Sequence, residues 1–225
     1  MARGLFISFE GSEGCGKSTQ IQRLAARLSG LGQSVLLTRE PGGTEIGEHL
    51  RELLQFSKAG HGMCAETELL LFTASRAQLV REKIAPALAS GAIVLADRFL
   101  DSTTVYQGVA RRLEPARVAA VNRFAVGDCL PALTFILDLD PAAARARLTA
   151  RPGAPDRMEG QSAAFFDAVR AGYLALARSG ESRFHLLDAA LSADKIESAI
   201  WAAIAPFLTS TAEPDAADVP TRGKF

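Results

Sequence analysis

The chain has 225 residues, 48% of them hydrophobic, enough to bury the core of one α/β domain and too few to suggest two independent ones. Its 25 basic and 25 acidic residues cancel, so no global field draws nucleic acid or an anionic membrane surface, and any polyanion site has to be local. Cys15, Cys64 and Cys129 are odd in number without C-x-x-C spacing, no apolar stretch approaches the ~18 residues of a membrane span, and the run after Arg3 is too short for a secretory leader; the expectation is a soluble, cytoplasmic protein.

Leu5 to Phe9 is a short apolar run that reads as a buried strand. It leads into Gly11-Ser12-Glu13-Gly14-Cys15-Gly16-Lys17-Ser18, which has the spacing G-x-x-x-x-G-K-[ST] of a phosphate-binding loop. The glycines let backbone N–H groups turn inward onto phosphate oxygens, Lys17 reaches the β- and γ-phosphates, and the Ser18 hydroxyl is available to Mg²⁺. With a helix expected from Lys17 to Gly30, this context marks a nucleoside-triphosphate site. Glu13 is the odd member: a carboxylate inside a ring of anion-seeking N–H groups needs a compensating contact unless it points into solvent. Cys15 occupies a position where a small side chain suffices and reads as a spacer.

Four further apolar runs follow, at Ser34–Thr38, Ala92–Ala96, Leu133–Leu137 and Arg183–Leu187. Helical patterns lie between and after them, at Thr44–Phe56, Glu66–Gly91 with Pro86 kinking or restarting it, Glu114–Val126, Pro141–Ala150, Gln161–Ser179 and Ser192–Leu208. Strands alternating with helices predict a three-layer α/β fold, a five-stranded parallel sheet with helices on both faces. The segment Arg151 to Arg157 is a basic Pro/Gly break that reads as a mobile loop within a lid at about 150–160. From Ser210 the chain is rich in Pro, Ala and Asp without apolar periodicity. The expected organisation is one domain over 1–209 and a disordered tail over 210–225.

Ligands of parallel sheets bind beyond the carboxyl ends of the strands. The phosphate loop, the stretch Thr38-Arg39-Glu40-Pro41-Gly42-Gly43 and the stretch Asp97-Arg98-Phe99 should therefore face one cleft. Asp97 is placed to hold Mg²⁺ through water, or is simply an exposed strand-end carboxylate. His49, His61 and His185 have no ligand spacing with one another or with the cysteines, so no structural zinc is expected.

The ordered set FEGSEGCGKST, TREPGGTEIGEHLR, LLFTASR, ADRFLDSTTVYQG and RARLTARPGAPDRME resembles the thymidylate (dTMP) kinase family of P-loop nucleoside monophosphate kinases. The resemblance implies the P-loop kinase fold, transfer of the ATP γ-phosphoryl group to dTMP, Mg²⁺ as cofactor and a homodimer, although an apolar helix face serves equally as internal core. It implies that residues 11–18, with Thr19 and Arg147, bind ATP, and that Ser18 and Asp97 serve the metal. Lys17 would meet the donor phosphates, while Arg98 and Arg51, helped by Arg39, would hold the acceptor phosphate. Glu13 would accept from the 3′-hydroxyl, and Tyr106 beneath C2′ would exclude a ribose hydroxyl.

The family draws a transition-state arginine from the phosphate loop or from the lid. Positions 12 to 15 offer none, whereas the lid region holds Arg147, Arg151 and Arg157. Arg151 is the first choice and Arg157 its competitor, with Asp156 or Glu159 as alternative partners for either. Arg76 has only donors, which suits O4 of thymine and mismatches the amino group of cytosine. Phe72, four residues earlier, either stacks on the base or is core. Thr103 would accept from N3–H and Gln107 would line the pocket; the loop Asp188–Leu191 would edge the purine of ATP. Two other readings remain: a P-loop kinase for another nucleotide or small molecule, and a nucleotide-dependent switch ATPase.

Overall fold

The computed structural model describes residues 4–150 and 156–209. The expected tail from residue 210 and the lid residues 151–155, Arg151 among them, lie outside the described residues. Five parallel strands form one sheet: β1 (Phe6–Glu10), β2 (Val35–Arg39), β3 (Ile93–Asp97), β4 (Leu133–Asp138) and β5 (Phe184–Asp188), in the order β2-β3-β1-β4-β5. From the central β1 the chain crosses to the edge strand β2, returns to β3 beside β1, and then builds outward on the other side through β4 and β5. Beside such a reversal of direction the connecting loops part and leave a crevice at the carboxyl ends.

Each strand lies up to one residue from its expected bounds. The three inner strands β1, β3 and β4 are buried almost throughout, while the edge strands β2 and β5 are only half-buried. Continuous apolar character is therefore a property of the inner strands, which are covered on both faces.

On one face, Ile7, Phe9, Leu95, Phe135 and Leu137 pack against Ile21, Leu24 and Leu28 of α1 (Lys17–Gly30) and against Ile196, Ile200 and Ile204 of the final helix (Ala193–Thr209). On the other, Phe6, Val94, Ala96 and Phe99 meet Leu79, Val80, Ile84 and Leu88. Those last residues come from α2, the helix over Ala65–Leu79, and its continuation through a π-turn at Val80–Ile84 into Ala85–Ala89. Pro86, expected to kink or restart this helix, lies in the first turn of the α-helical segment that resumes after the π-turn, a position that tolerates proline. A third cluster, Val105, Tyr106, Ile136, Phe165, Val169 and Tyr173, joins α3 (Ala163–Ala177) to the sheet.

One element is not legible in the sequence pattern. Leu100–Thr103 forms a helical turn that runs into a π-helix over Thr104–Ala110, carrying the D-S-T-T-V-Y-Q-G stretch as a wall of the crevice. Its threonines and central glycine are weak helix formers, so tertiary packing rather than propensity holds it.

Candidate active site

The phosphate loop begins where β1 ends. Gly11 has φ 133 and Gly14 φ 74; a Cβ would meet the Leu137 carbonyl oxygen at 2.5 Å in the first case and the Ala144 carbonyl oxygen at 2.8 Å in the second. Both the left-handed backbone and the close approach of a neighbouring chain segment demand glycine there. Lys17, the first residue of α1, is buried and donates to the carbonyls of Gly11 at 3.3 Å and Ser12 at 2.8 Å. Cys15 is buried with Lys17 Nζ 3.7 Å from its sulfur, as a small filler would be.

Strand register aligns the rest. Asp97 lies opposite Phe9 on one side and Arg39 on the other, so the ends of β1, β2 and β3 open at one level. Ser18 donates to Asp97 Oδ2 at 3.0 Å, bringing together the two residues expected at the metal. These residues, with Glu13, Gly14, Gly16, Thr19, Arg51 and Arg98, line a polar cleft of about 290 Å³.

A second, largely apolar pocket opens from it. Phe72, Arg76, Thr103, Tyr106 and Gln107 line it together with Pro41, Ser102 and Met158, and Glu13, Glu40, Gln55 and Arg98 are common to pocket and cleft. With Glu13, all six residues expected around the base and sugar are thus brought to one concavity.

Among the described residues, Arg98 is the one cation shared by both cavities. It holds φ 71, a conformation costing a non-glycine residue about 1–3 kcal/mol, and both neighbouring peptides are fixed. Its own N–H donates to the Phe9 carbonyl at 2.9 Å, and the Phe99 N–H donates to Glu10 Oε1 at 2.8 Å. The guanidinium donates to Glu13 Oε1 at 2.5 Å, the Tyr106 hydroxyl at 3.2 Å, Ser102 Oγ at 3.1 Å and the Tyr173 hydroxyl at 3.2 Å. Burial opposes its charge, but Glu13 and the ring hydroxyls more than offset this and hold the pKa well above the ordinary arginine value. Glu13 therefore has its compensating contact: it meets an arginine inside the site.

Arg39 pairs with both carboxylate oxygens of Glu48 at 3.0 and 2.8 Å, and Arg51 donates to the Pro41 carbonyl at 3.1 Å. Burial, then the charge of Arg39, lowers the pKa of Arg51, the signature of cations gathered for an anion.

Arg76 is only 1% exposed and is engaged more heavily than its sequence position suggested. Nε donates to both oxygens of Glu40, Nη2 to Glu40 Oε2 at 2.5 Å and to the Phe99 carbonyl at 3.2 Å, and Nη1 to Asn122 Oδ1 at 2.8 Å. Of five guanidinium N–H groups, these bonds engage four and leave one on Nη1.

The arginines after β4 separate. Arg147 donates to the Ala189 carbonyl at 3.2 Å, within the loop expected to edge the purine. Arg157 is not among the residues of the phosphate cleft. It donates to Glu68 Oε2 at 2.7 Å and to the Leu54 carbonyl at 2.6 Å and borders a separate outer cleft with His61 and Arg111. Neither Asp156 nor Glu159 is its acceptor in these bonds.

Several residues at or behind the site were given no role of their own by sequence reasoning: Glu10, Glu40, Glu68, Ser102, Asn122 and Tyr173. Glu10 is buried at the end of β1 and accepts from Phe99 N, from Ser102 Oγ at 2.6 Å and from the Tyr173 hydroxyl at 2.8 Å. Burial, then Asp101, pushes its carboxyl up to about 7, against Arg98. A raised carboxyl contributes stability that is fully present below its unfolded value and is lost as pH rises through about 7. Relative to Glu10→Gln, the wild-type chain should therefore lose up to about 3 kcal/mol between pH 5 and pH 8. Thermal melts across that range check it; a constant difference between the two proteins would show that Glu10 does not titrate there.

Residues 9–200 match the thymidylate kinase family. A thymidylate kinase of Pseudomonas syringae pv. tomato is 49% identical over 197 residues, covering 88% of this chain and 93% of the relative. The chain belongs to the thymidylate kinase family. A thymidylate kinase of Pseudomonas putida is 50% identical over 194 residues, covering 86% of this chain and 91% of that protein. One from Deinococcus radiodurans is 45% identical over 209 residues, covering 91% and 98%. The thymidylate kinase sequence thus spans the sheet, the phosphate loop and both cavities, and no described helix is long and apolar enough to cross a membrane.

Proposed function

We propose that the chain transfers the γ-phosphoryl group of ATP to dTMP, forming dTDP. The observation that carries this reading is the placement of Arg98 between a polar cleft beside the phosphate loop and a largely apolar pocket of base-recognising character. Two nucleotides placed in these cavities present their phosphates to one guanidinium.

The acceptor is itself a phosphate with a second pKa near 6 and is largely dianionic at neutral pH, so no general base is needed. The barrier is repulsion between anions, and the site answers with position and charge. Lys17 serves the donor phosphates, and Arg98, Arg51 and Arg39 the acceptor phosphate. Ser18 and Asp97 present hard hydroxyl and carboxylate oxygens, a donor set that suits Mg²⁺ completed by phosphate oxygens and water. When bound there, the metal supplies neutralisation of the transferring group's charge.

In the acceptor pocket, the remaining Arg76 N–H suits thymine O4, the Phe72 ring its face and the Thr103 hydroxyl its N3–H. Tyr106, buried between Phe165 and Tyr173, fills the space a ribose 2′-hydroxyl would need, and Glu13 accepts from the 3′-hydroxyl. The expected catalytic set is Lys17, Asp97 and Arg98 with Arg151. The tethering of Arg157 to Glu68 favours Arg151 over it as the arginine at the transferring group.

The chain acts in the cytoplasm as a homodimer. Phe124, 84% exposed, with Leu70 and Ile46, gives packed helices an uncovered apolar surface that a second copy would bury. Sedimentation at the mass of one chain would remove the dimer.

The deciding assay is ATP consumption with dTMP, dUMP, dCMP, AMP or no acceptor. dTMP should be preferred, dUMP slower by the roughly 1–3 kcal/mol that a methyl group is worth in a fitted pocket, and dCMP near background. Equal turnover without acceptor would favour a switch ATPase, and preference for another monophosphate a different nucleotide kinase.

A further inference from the structure

Glu68, in the first turn of α2, lines neither cavity, yet it connects them. Its side chain is 1% exposed. Oε1 accepts from Gln107 Nε2 at 2.8 Å and Arg111 Nε at 3.2 Å; Oε2 accepts from Arg157 Nη1 at 2.7 Å and Arg111 Nη2 at 3.2 Å. Burial alone would raise this carboxyl, but Arg111, Gln107 and Arg157 outweigh it and hold its pKa below the ordinary glutamate value. The group is a buried anion at neutral pH.

Its partners divide by the cavity they serve. Gln107 lines the apolar pocket. Arg157 stands between Asp156 and Glu159, two carboxylates that line the phosphate cleft. The same turn is tied to the element carrying Gln55, a residue common to both cavities, because Arg157 N donates to the Gln55 carbonyl at 3.0 Å and Arg157 Nε to the Leu54 carbonyl. Arg111 alone would neutralise Glu68. The additional bonds to Gln107 and Arg157 join a wall of one nucleotide's pocket to a wall of the other's through two direct contacts.

We propose that Glu68 is a positioning residue that couples occupancy of the apolar pocket to the placement of the Asp156–Glu159 turn beside the ATP phosphates. The inference rests on the reading of that pocket as the dTMP site. Asp156 and Glu159 bring negative charge towards an anionic ligand, so a small displacement of their turn changes ATP affinity. A nucleotide held against Gln107 draws on the hydrogen bonds of Glu68 and, through Arg157, on that turn. Linkage makes the effect reciprocal, so bound ATP must tighten dTMP by the same factor.

The test is calorimetric titration of a non-hydrolysable ATP analogue with Mg²⁺, with and without saturating dTMP. The proteins are the wild-type chain, Glu68→Gln and Arg157→Gln. In the wild-type chain dTMP should tighten the analogue about 5-fold or more. Both variants should lose the gain from dTMP, each read as the ratio of analogue affinities with and without dTMP in the same protein. Arg157→Gln leaves Glu68 paired with Arg111 and Gln107, so it probes the coupling even where Glu68→Gln fails to fold. Absence of a gain in the wild-type chain, or an equal gain in a folded variant, overturns the coupling. Failure of dTMP to bind the wild-type chain at all is a separate result that overturns the pocket reading itself.

Discussion

Replacing Arg98 by alanine should lower kcat/KM for dTMP by roughly 10³-fold or more while changing the affinity for an ATP analogue little. Lys17 holds to the phosphate loop, Arg39 to Glu48 and Arg51 to the Pro41 carbonyl, all on the cleft side. Arg98 alone among the described cations reaches both cavities, so no neighbour can take its place. Arg98→Lys should recover only a small part of the loss, because an ammonium cannot reproduce a fork that contacts Glu13, Tyr106, Ser102 and Tyr173 together. Steady-state kinetics with a melting curve for each variant separates chemistry from folding. A loss under tenfold in a protein of wild-type stability would place the phosphate-bridging charge elsewhere.

Arg76→Ala should have two effects that a surface arginine would not show. Glu40, with a side chain 3% exposed, would be left buried without its guanidinium, and breaking such a buried pair costs about 3–5 kcal/mol of stability. dTMP binding should also weaken sharply, with ATP-analogue affinity nearly intact in the folded fraction. The double variant Glu40→Leu with Arg76→Met distinguishes the two contributions. Removing both charges restores much of the stability, since apolar residues of similar volume replace buried ion pairs at little cost. It does not restore a donor to the pocket. Denaturant melts and dTMP titrations of both variants check this; wild-type dTMP affinity in the double variant would show that Arg76 anchors the wall without reading the base.

The arginines also mark where the sequence was readable. The phosphate loop was legible as a string because its chemistry is local: glycine spacing, a lysine and a hydroxyl act within one turn. Arg98 and Asp97 were legible because strand ends converge in any parallel sheet. Arg157 was not, since its partner Glu68 lies 89 residues away and no local pattern marks a buried acid on a helix that also carries Leu69, Leu70 and Leu71. Glu10 and Glu40 escaped for the same reason. Each stands inside a recognisable motif, yet whether it faces solvent, ligand or an arginine depends on what packs over it. The helix from Leu100 into the π-helix was missed because its threonines and glycine argue against helix.

Local patterning by itself determined the alternation of strands and helices, the parallel sheet and the triphosphate loop, and residue type alone the donor-only character of Arg76. Tertiary structure alone decided which carboxylate holds which arginine, that Arg76 is bound to Glu40, Asn122 and the Phe99 carbonyl, and that Arg157 turns to Glu68. The reason is physical. Backbone preference and hydrophobic period act over a few residues, whereas the energy of a buried charge is set by the burial and partners that distant segments supply.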